Sequence, residues 1–348
     1  MTRRRNGGDQ IPAIALTMGE PAGIGGEIAI KAWQRREDGT PPFVLIDDPE
    51  RIRRLAHRTH LAATIVTVED PEQASAVFSS SLPVLPLSLP APVAPGRPDP
   101  KAAPAVIEAI DRAVALTRAG LTAALVTNPI HKATLYESGF GHPGHTEYLA
   151  AGAGLGESAV MMLVCESLRV VPVTVHLPLV QAVADLSTDA IVHCAKACAE
   201  SLSADFGIAR PRLAVAGLNP HAGEDGALGT EEIDIIAPAV EELRARGIGA
   251  TGPHPADTLF HEHARGDFDA AICMYHDQAL IPLKTIDFAG GVNMTLGLPY
   301  VRTSPDHGTA FDIAGTGRAD PASLIAALRL ADTVARNRNA ARRGRKVA

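Results

Sequence analysis

Apolar residues run along this chain in short unbroken blocks, and polar clusters follow several of them. Residues 11–18, 43–46, 123–126, 213–216 and 270–273 are largely apolar without alternation. Such blocks predict strands buried on both faces of a parallel sheet. Between them lie helical stretches. Across residues 102–119 the apolar positions Ala105, Val106, Ala109, Ile110, Ala113, Val114 and Leu116 form one stripe. Residues 189–202 and 231–246 predict further helices, and a closing helix starts at Pro321. Residues 160–164 and 169–175 flank Glu166-Ser167-Leu168 and predict a hairpin. Strand alternating with helix is the signature of an α/β fold. Seven prolines between Leu82 and Pro100 predict an extended surface connection, and residues 252–260 read as a loop.

Candidate chemistry gathers after the strands. His176, His221 and His276 each follow a predicted strand, at the end where α/β sheets bind their ligands. Neutral imidazoles suit zinc or a similar divalent ion. A histidine capping a loop has the same local look, and the wide spacing does not by itself bring the rings together. Asp277 beside His276, and Lys284 eight residues on, add a carboxylate and an ammonium. These can orient a hydroxyl, move a proton or neutralise a phosphate. His142, His145 and Thr146 stand where a predicted helix begins, and backbone N–H groups there favour an anion. The turn Gly19-Glu20-Pro21-Ala22-Gly23-Ile24-Gly25 invites a dinucleotide reading, yet G-x-G-x-x-G is absent.

Composition narrows the classes. A length of 348 residues leaves room for two domains. A formal charge of −7 gives no general attraction to nucleic acid or anionic membrane. Only residues 336–346 are markedly basic, which reads as the solvated end of the last helix. Four cysteines with no C-x-x-C pair argue against a zinc ribbon or a disulfide framework. Cys194 and Cys198, four apart, predict one buried helix face. No signal segment and no apolar span of about 20 residues is present, so a cytoplasmic protein is expected.

The ordered blocks G-E-P-A-G-I-G, P-G-H-T-E, V-H-L-P-L, L-N-P-H-A-G-E, P-A-D-T-L-F, M-Y-H-D-Q, G-V-N-M-T-L-G-L-P and R-T-S-P-D-H-G-T-A span nearly the whole chain. Together they resemble the 4-hydroxythreonine-4-phosphate dehydrogenase family of pyridoxal phosphate biosynthesis. Glu20 stands where many members have aspartate, and Val175 where threonine is usual. The resemblance implies an α/β, two-domain fold like isocitrate and isopropylmalate dehydrogenases, with the active site in the interdomain cleft. Residues 11–140 with 290–345 would form one domain, holding the cofactor loop and the chain termini. Residues 141–289 would form the other, holding the metal ligands and the dimer interface.

The same resemblance implies NAD(P)-dependent oxidation of 4-phosphohydroxy-L-threonine to 2-amino-3-oxo-4-phosphooxybutanoate, which decarboxylates to 3-amino-2-oxopropyl phosphate. His176, His221 and His276 match the ligands of one divalent ion, zinc or else magnesium or cobalt. His145, Thr146, Asp257, Lys284, Asn293 and Arg302 match substrate contacts, and Lys284 and Asp277 are the catalytic candidates. His307, Gly308, Thr309, Ala310, Asp312 and Gly315 look like the loop that takes NAD or NADP. The implied partners are a small phosphorylated substrate and a second copy of the chain, with no nucleic acid and no membrane. In that homodimer the site is shared, His176 coming from one subunit and His221 with His276 from the other. The nearest alternative is a paralogous dehydrogenase of a four-carbon sugar-acid phosphate or a ring diol carboxylate. His-Leu-Pro-Leu from His176 and Gly-Thr-Glu-Glu after His221 favour the vitamin B6 enzyme.

Overall fold

The computed structural model describes residues 11–142, 144–156 and 159–347. Its strands are β1 (Ile14–Thr17), β2 (Phe43–Asp47), β3 (Ile65–Thr67), β4 (Leu82–Pro86), β5 (Leu125–Val126), β6 (Val160–Cys165), β7 (Leu168–Thr174), β8 (Arg212–Ala216), β9 (Gly249–His254), β10 (Ala270–Tyr275), β11 (Val292–Leu296) and β12 (Arg302–Pro305). The chain divides into two units, one reaching to Gly141 and including Tyr300–Asn339, the other running His142–Pro299 and taking the chain end from Ala340.

In the first unit the strand order is β3-β4-β2-β1-β5-β12, and every neighbouring pair is parallel. β1 and β2 are buried at every position, as unbroken apolar blocks require when helices cover both faces of a sheet. The helices Gly25–Gln34, Pro49–Arg58 and Ala103–Arg118 connect the strands. Asp48 starts the second of them by accepting the N–H groups of Glu50 and Arg51, with Pro49 in the first turn.

The proline-rich stretch is not all connection. Its first five residues form β4, an inner strand between β3 and β2. Leu82 N–H reaches Thr64 O and Leu87 N–H reaches Asp47 O. Pro86 is the last residue of β4, beyond the end of the three-residue β3, where no ladder donor is needed.

The second unit is ordered β11-β6-β7-β10-β8-β9. The hairpin β6–β7 is antiparallel, as read from the sequence, while β7, β10, β8 and β9 run parallel. Leu163, Val170, Cys273 and Leu283 share the core on one side of this sheet. Helix Thr188–Ala204 buries Cys194 and Cys198 together. Burial pushes the Cys194 thiol up to about 12 and raises that of Cys198 as well, which suits inert packing residues.

Two expectations need correction. Residues 249–254 are β9, and Ala256–Leu259 is a short helix, so the 252–260 loop is only partly a loop. The expected boundary after residue 289 falls too early. β11 pairs antiparallel with β6, and this keeps residues up to Pro299 in the second unit. Among the described residues no helix is long and apolar enough to cross a membrane.

Candidate active site

β7, β10 and β8 are adjacent and parallel, so their carboxyl ends share one edge of the second sheet. His176 stands two residues past β7, and His276 opens helix His276–Ile286 immediately after β10. The rings of His176 and His276 have centroids 5.9 Å apart with planes tilted by 42°. Both line a cavity of about 270 Å³, together with Thr174, Leu177, Tyr275 and Asp277. The Asp277 carboxylate lies 2.8 Å from His276 Nδ1. It thereby fixes the tautomer that presents Nε2 as a lone-pair donor, the pairing that metal-ligating histidines make.

Backbone strain falls in several of the candidate turns. Seven described residues other than glycine have positive φ, and six of them are His176, His221, Ala222, Glu224, Asp225 and Ala310. The stretch from His221 to Asp225 is a left-handed turn, with φ of 53°, 51°, 79°, 43° and 55° along it. Each such L-residue costs about 1–2 kcal/mol, so a run of them persists only where surrounding contacts enforce it. Strain of this kind clusters at functional sites.

Among the described residues no group of three or more His, Cys, Asp or Glu is assembled to hold a metal. The expected three-histidine set is therefore present within one chain as a pair. The physical reason is distance along the chain. His221 lies five residues past the end of β8, and its exposed side chain is absent from the lining of the pair's cavity. His176 and His276 already meet within one chain, an arrangement that does not need a second subunit to bring these two together.

Asp257 sits in the first turn of Ala256–Leu259, just past β9. β9 runs parallel to β8, so this carboxylate is on the same sheet edge. His145 and Thr146 are the first two residues of helix His145–Gly152, whose N-cap is Gly144. Lys284 lies in the last turn of helix His276–Ile286, about 12 Å along it from His276. Its ammonium is 5.6 Å from the centre of the Phe288 ring. Asn293 is farther off. The ladder Asn293–Leu163–Val170–Ala271 sets it level with the start of β10. Five residues along the strand and three strand spacings across put it roughly 20 Å from His276. Asn293 Oδ1 is buried with no hydrogen-bond partner among the described residues, which leaves an acceptor for a ligand.

The first unit holds the remaining candidates. Arg302 opens β12, is 3% exposed, and donates from Nη2 to Thr127 Oγ1 at 2.7 Å. Beyond it the His307 loop packs on the glycine-rich turn. Thr309 O accepts the Ile24 N–H at 3.1 Å, and a Cβ on Gly23 would stand 2.9 Å from that oxygen. The close approach explains the glycine. Farther along, the buried Glu27 carboxylate accepts the N–H groups of Gly315 (3.1 Å) and Ala319 (2.9 Å). Lys31 Nζ donates to the carbonyls of Gly317 and Ala319. The Phe311 ring meets His131 edge to face at 4.9 Å, Asp312 is exposed, and His307 Nε2 is buried without a partner among the described residues. Glu20 is buried in the turn, accepting the Ala22 N–H. Burial raises its carboxyl above the usual range, against the lowering effects of that N–H, His131 and Arg51.

Sequence reasoning passed over Glu27, Thr127, Glu232 and Gln278. Glu27 is a polar residue among apolar and glycine neighbours, whereas Thr127, Glu232 and Gln278 adjoin other polar residues, so the local pattern does not say which backbone each side chain will meet.

Residues 39–331 match the family described as pyridoxal phosphate biosynthetic protein PdxA. The chain is 54% identical over 333 residues to the 4-hydroxythreonine-4-phosphate dehydrogenase of Bradyrhizobium diazoefficiens, covering 92% of this chain and 96% of that protein. It is similar to the crystal structure of 4-hydroxythreonine-4-phosphate dehydrogenase from Klebsiella pneumoniae, with a TM-score of 0.85, 41% identity, and 93% and 99% of the two chains covered. A terephthalate 1,2-cis-dihydrodiol dehydrogenase structure from Burkholderia xenovorans is also similar, at a TM-score of 0.62 and 33% identity over 93% and 98% of the chains. With a family match over most of its length and relatives this similar from end to end, the chain belongs to the pyridoxal phosphate biosynthetic protein PdxA family.

Proposed function

We propose that the chain is a metal-dependent, NAD(P)-linked dehydrogenase that oxidises 4-phosphohydroxy-L-threonine. The observation that carries this reading is the His176–His276 pair, 5.9 Å between centroids, with Asp277 on the far nitrogen of His276. The donor chemistry fits a divalent ion such as zinc, magnesium or cobalt, with His176 and His276 as two donors and His221 as the third. When bound, such an ion lowers the pKa of the substrate hydroxyl while the nicotinamide accepts hydride from the same carbon.

The chain's own groups do the rest. Asp277 holds the His276 ring in one orientation and tautomer. Lys284 and Arg302 are the cations for phosphate and for proton transfer, and a charge-assisted contact of either kind is worth about 1.5–3 kcal/mol. His145 and Thr146, at a helix start, favour an anionic group. The His307 to Gly315 loop, fastened by Glu27 and Lys31, is the seat for NAD or NADP. The oxidised product is a β-keto acid, so loss of CO2 follows from its own chemistry, with a cationic acid at hand to return the proton.

One chain offers two grouped histidines where a zinc site takes four protein ligands, or three together with a water or substrate. Leu177, Leu179 and Val180 beside the pair are 44%, 59% and 80% exposed. Both features support a homodimer in which the site is completed on assembly. The test is NADH or NADPH formation by purified protein supplied separately with 4-phosphohydroxythreonine, 4-phosphothreonate and a ring cis-dihydrodiol carboxylate, with and without chelator. Turnover of the first, abolished by chelator, is expected. Preference for either of the others assigns the chain to a paralogous activity.

A further inference from the structure

One run of hydrogen bonds, buried at Gln278 and part-buried at Glu232, joins the three histidine-bearing turns of the second unit. Thr174 Oγ1, at the end of β7, donates to Met274 O in β10 at 2.8 Å. The Met274 N–H donates to Gln278 Oε1 at 2.6 Å, and Gln278 Nε2 donates to Gly217 O, just past β8, at 2.7 Å. The next two N–H groups, of Leu218 and Asn219, both donate to Glu232 Oε1 at 2.7 Å. Asn219 Nδ2 donates to Glu232 Oε2 at 2.9 Å.

Gln278 and Glu232 are 7% and 3% exposed, and neither lines the cavity of the histidine pair. A buried carboxylate is costly unless donors surround it, and here the donors are the backbone that leads into His221. A Cβ on Gly223 would lie 2.7 Å from Glu232 Oε2, so the carboxylate fills the inner side of the left-handed turn. Gln278 sits two residues past His276 and grips the root of that same turn. Its two ends join β10 to β8, just as Thr174 joins β7 to β10.

We propose that Glu232 and Gln278 are positioning residues: Glu232 holds the His221 turn in its left-handed form, and Gln278 fixes that turn against the start of the His276 helix. The role rests on the reading of these histidines as divalent-ion ligands. Groups that orient metal ligands through hydrogen bonds typically change affinity about 10–100-fold when removed.

Full-length wild type, Glu232→Gln and Gln278→Met are titrated with cobalt(II) alone, following its visible absorption, and their unfolding is measured without metal. Wild type is expected to bind. Each variant is expected to fold and to bind about 10–100-fold more weakly, with a changed cobalt spectrum. Lowered unfolding temperatures with wild-type affinity and spectrum would overturn the positioning role and leave a purely structural network. Gln278→Met keeps the Glu232 carboxylate intact and carries the same comparison where Glu232→Gln does not fold. Absence of cobalt binding by wild type would overturn the metal reading itself, and the positioning role with it.

Discussion

His221 is held in a backbone conformation that disfavours every residue with a Cβ, and its side chain is exposed. Exchanging it therefore tests strain with little interference from packing. His221→Ala keeps the left-handed penalty, whereas His221→Gly removes it at the cost of a more flexible unfolded chain. The glycine variant is expected to be more stable than the alanine variant by about 1 kcal/mol in denaturant titrations, though both lose the imidazole. Equal stability would mean that the turn carries no strain at this residue. The buried pair in the first unit is a second residue-scale case. Arg51 donates to both oxygens of Asp47, at 2.9 and 2.5 Å, and to Pro21 O in the glycine-rich turn at 2.9 Å. Asp47→Asn leaves the guanidinium without its counter-charge and is expected to cost about 3–5 kcal/mol, read as a fall in the unfolding midpoint.

The loop proposed to seat NAD(P) has no helix or strand, and Glu27 and Lys31 of helix Gly25–Gln34 fasten it together with Arg58, whose Nε donates to Gly315 O. Glu27→Ala removes the acceptor for Gly315 and Ala319, so the Michaelis constant for NAD(P) is expected to rise while that for the phosphorylated substrate stays close to wild type. A matched rise in both would place the effect outside the loop. In the second unit, Asp269 ties the starts of β10 and β8 together by accepting from the Arg212 backbone and guanidinium. Burial alone would raise its carboxyl, but the Arg212 hydrogen bonds and charge outweigh this and hold it below the usual range. A carboxyl lowered by folding stabilises above its unfolded pKa and loses that contribution as pH falls through the folded value. The stability gap between wild type and Asp269→Asn is therefore expected at neutral pH and should shrink below about pH 4. A gap independent of pH would contradict it. Elements of this kind differ in how far the sequence reveals them. The strands β1, β2, β8 and β10 and helix Ala103–Arg118 announce themselves because burial on both faces, or on one stripe, leaves a pattern. β4 and β9 are hidden by prolines and glycines that a loop would also use, and β11 by the glycines around it. The strand-end histidines were legible as candidates one at a time. Their pairing was not, since it depends on the order β7-β10-β8, which no local pattern encodes.

For the whole molecule, two α/β units carry the two kinds of candidate chemistry: a fastened loop in one, histidines and an acidic partner on a sheet edge in the other. Because His176 and His276 meet within one chain, His176→Ala and His276→Ala subunits damage the same site. In the proposed homodimer, exchange between the two inactive variants leaves one defect in each site of the heterodimer and is expected to restore no activity. Recovery of about half the wild-type activity per heterodimer, with exchange verified by mass, would instead assign the two histidines to different chains. The histidine pair is the centre of the site, and His276→Ala removes one of its two rings. Divalent-ion content and NADH or NADPH formation from 4-phosphohydroxythreonine are measured on the same purified preparation. The variant is expected to be folded, to have lost most of the bound ion, and to have lost most of its turnover. Wild-type ion content with wild-type turnover would contradict the metal site at this sheet edge.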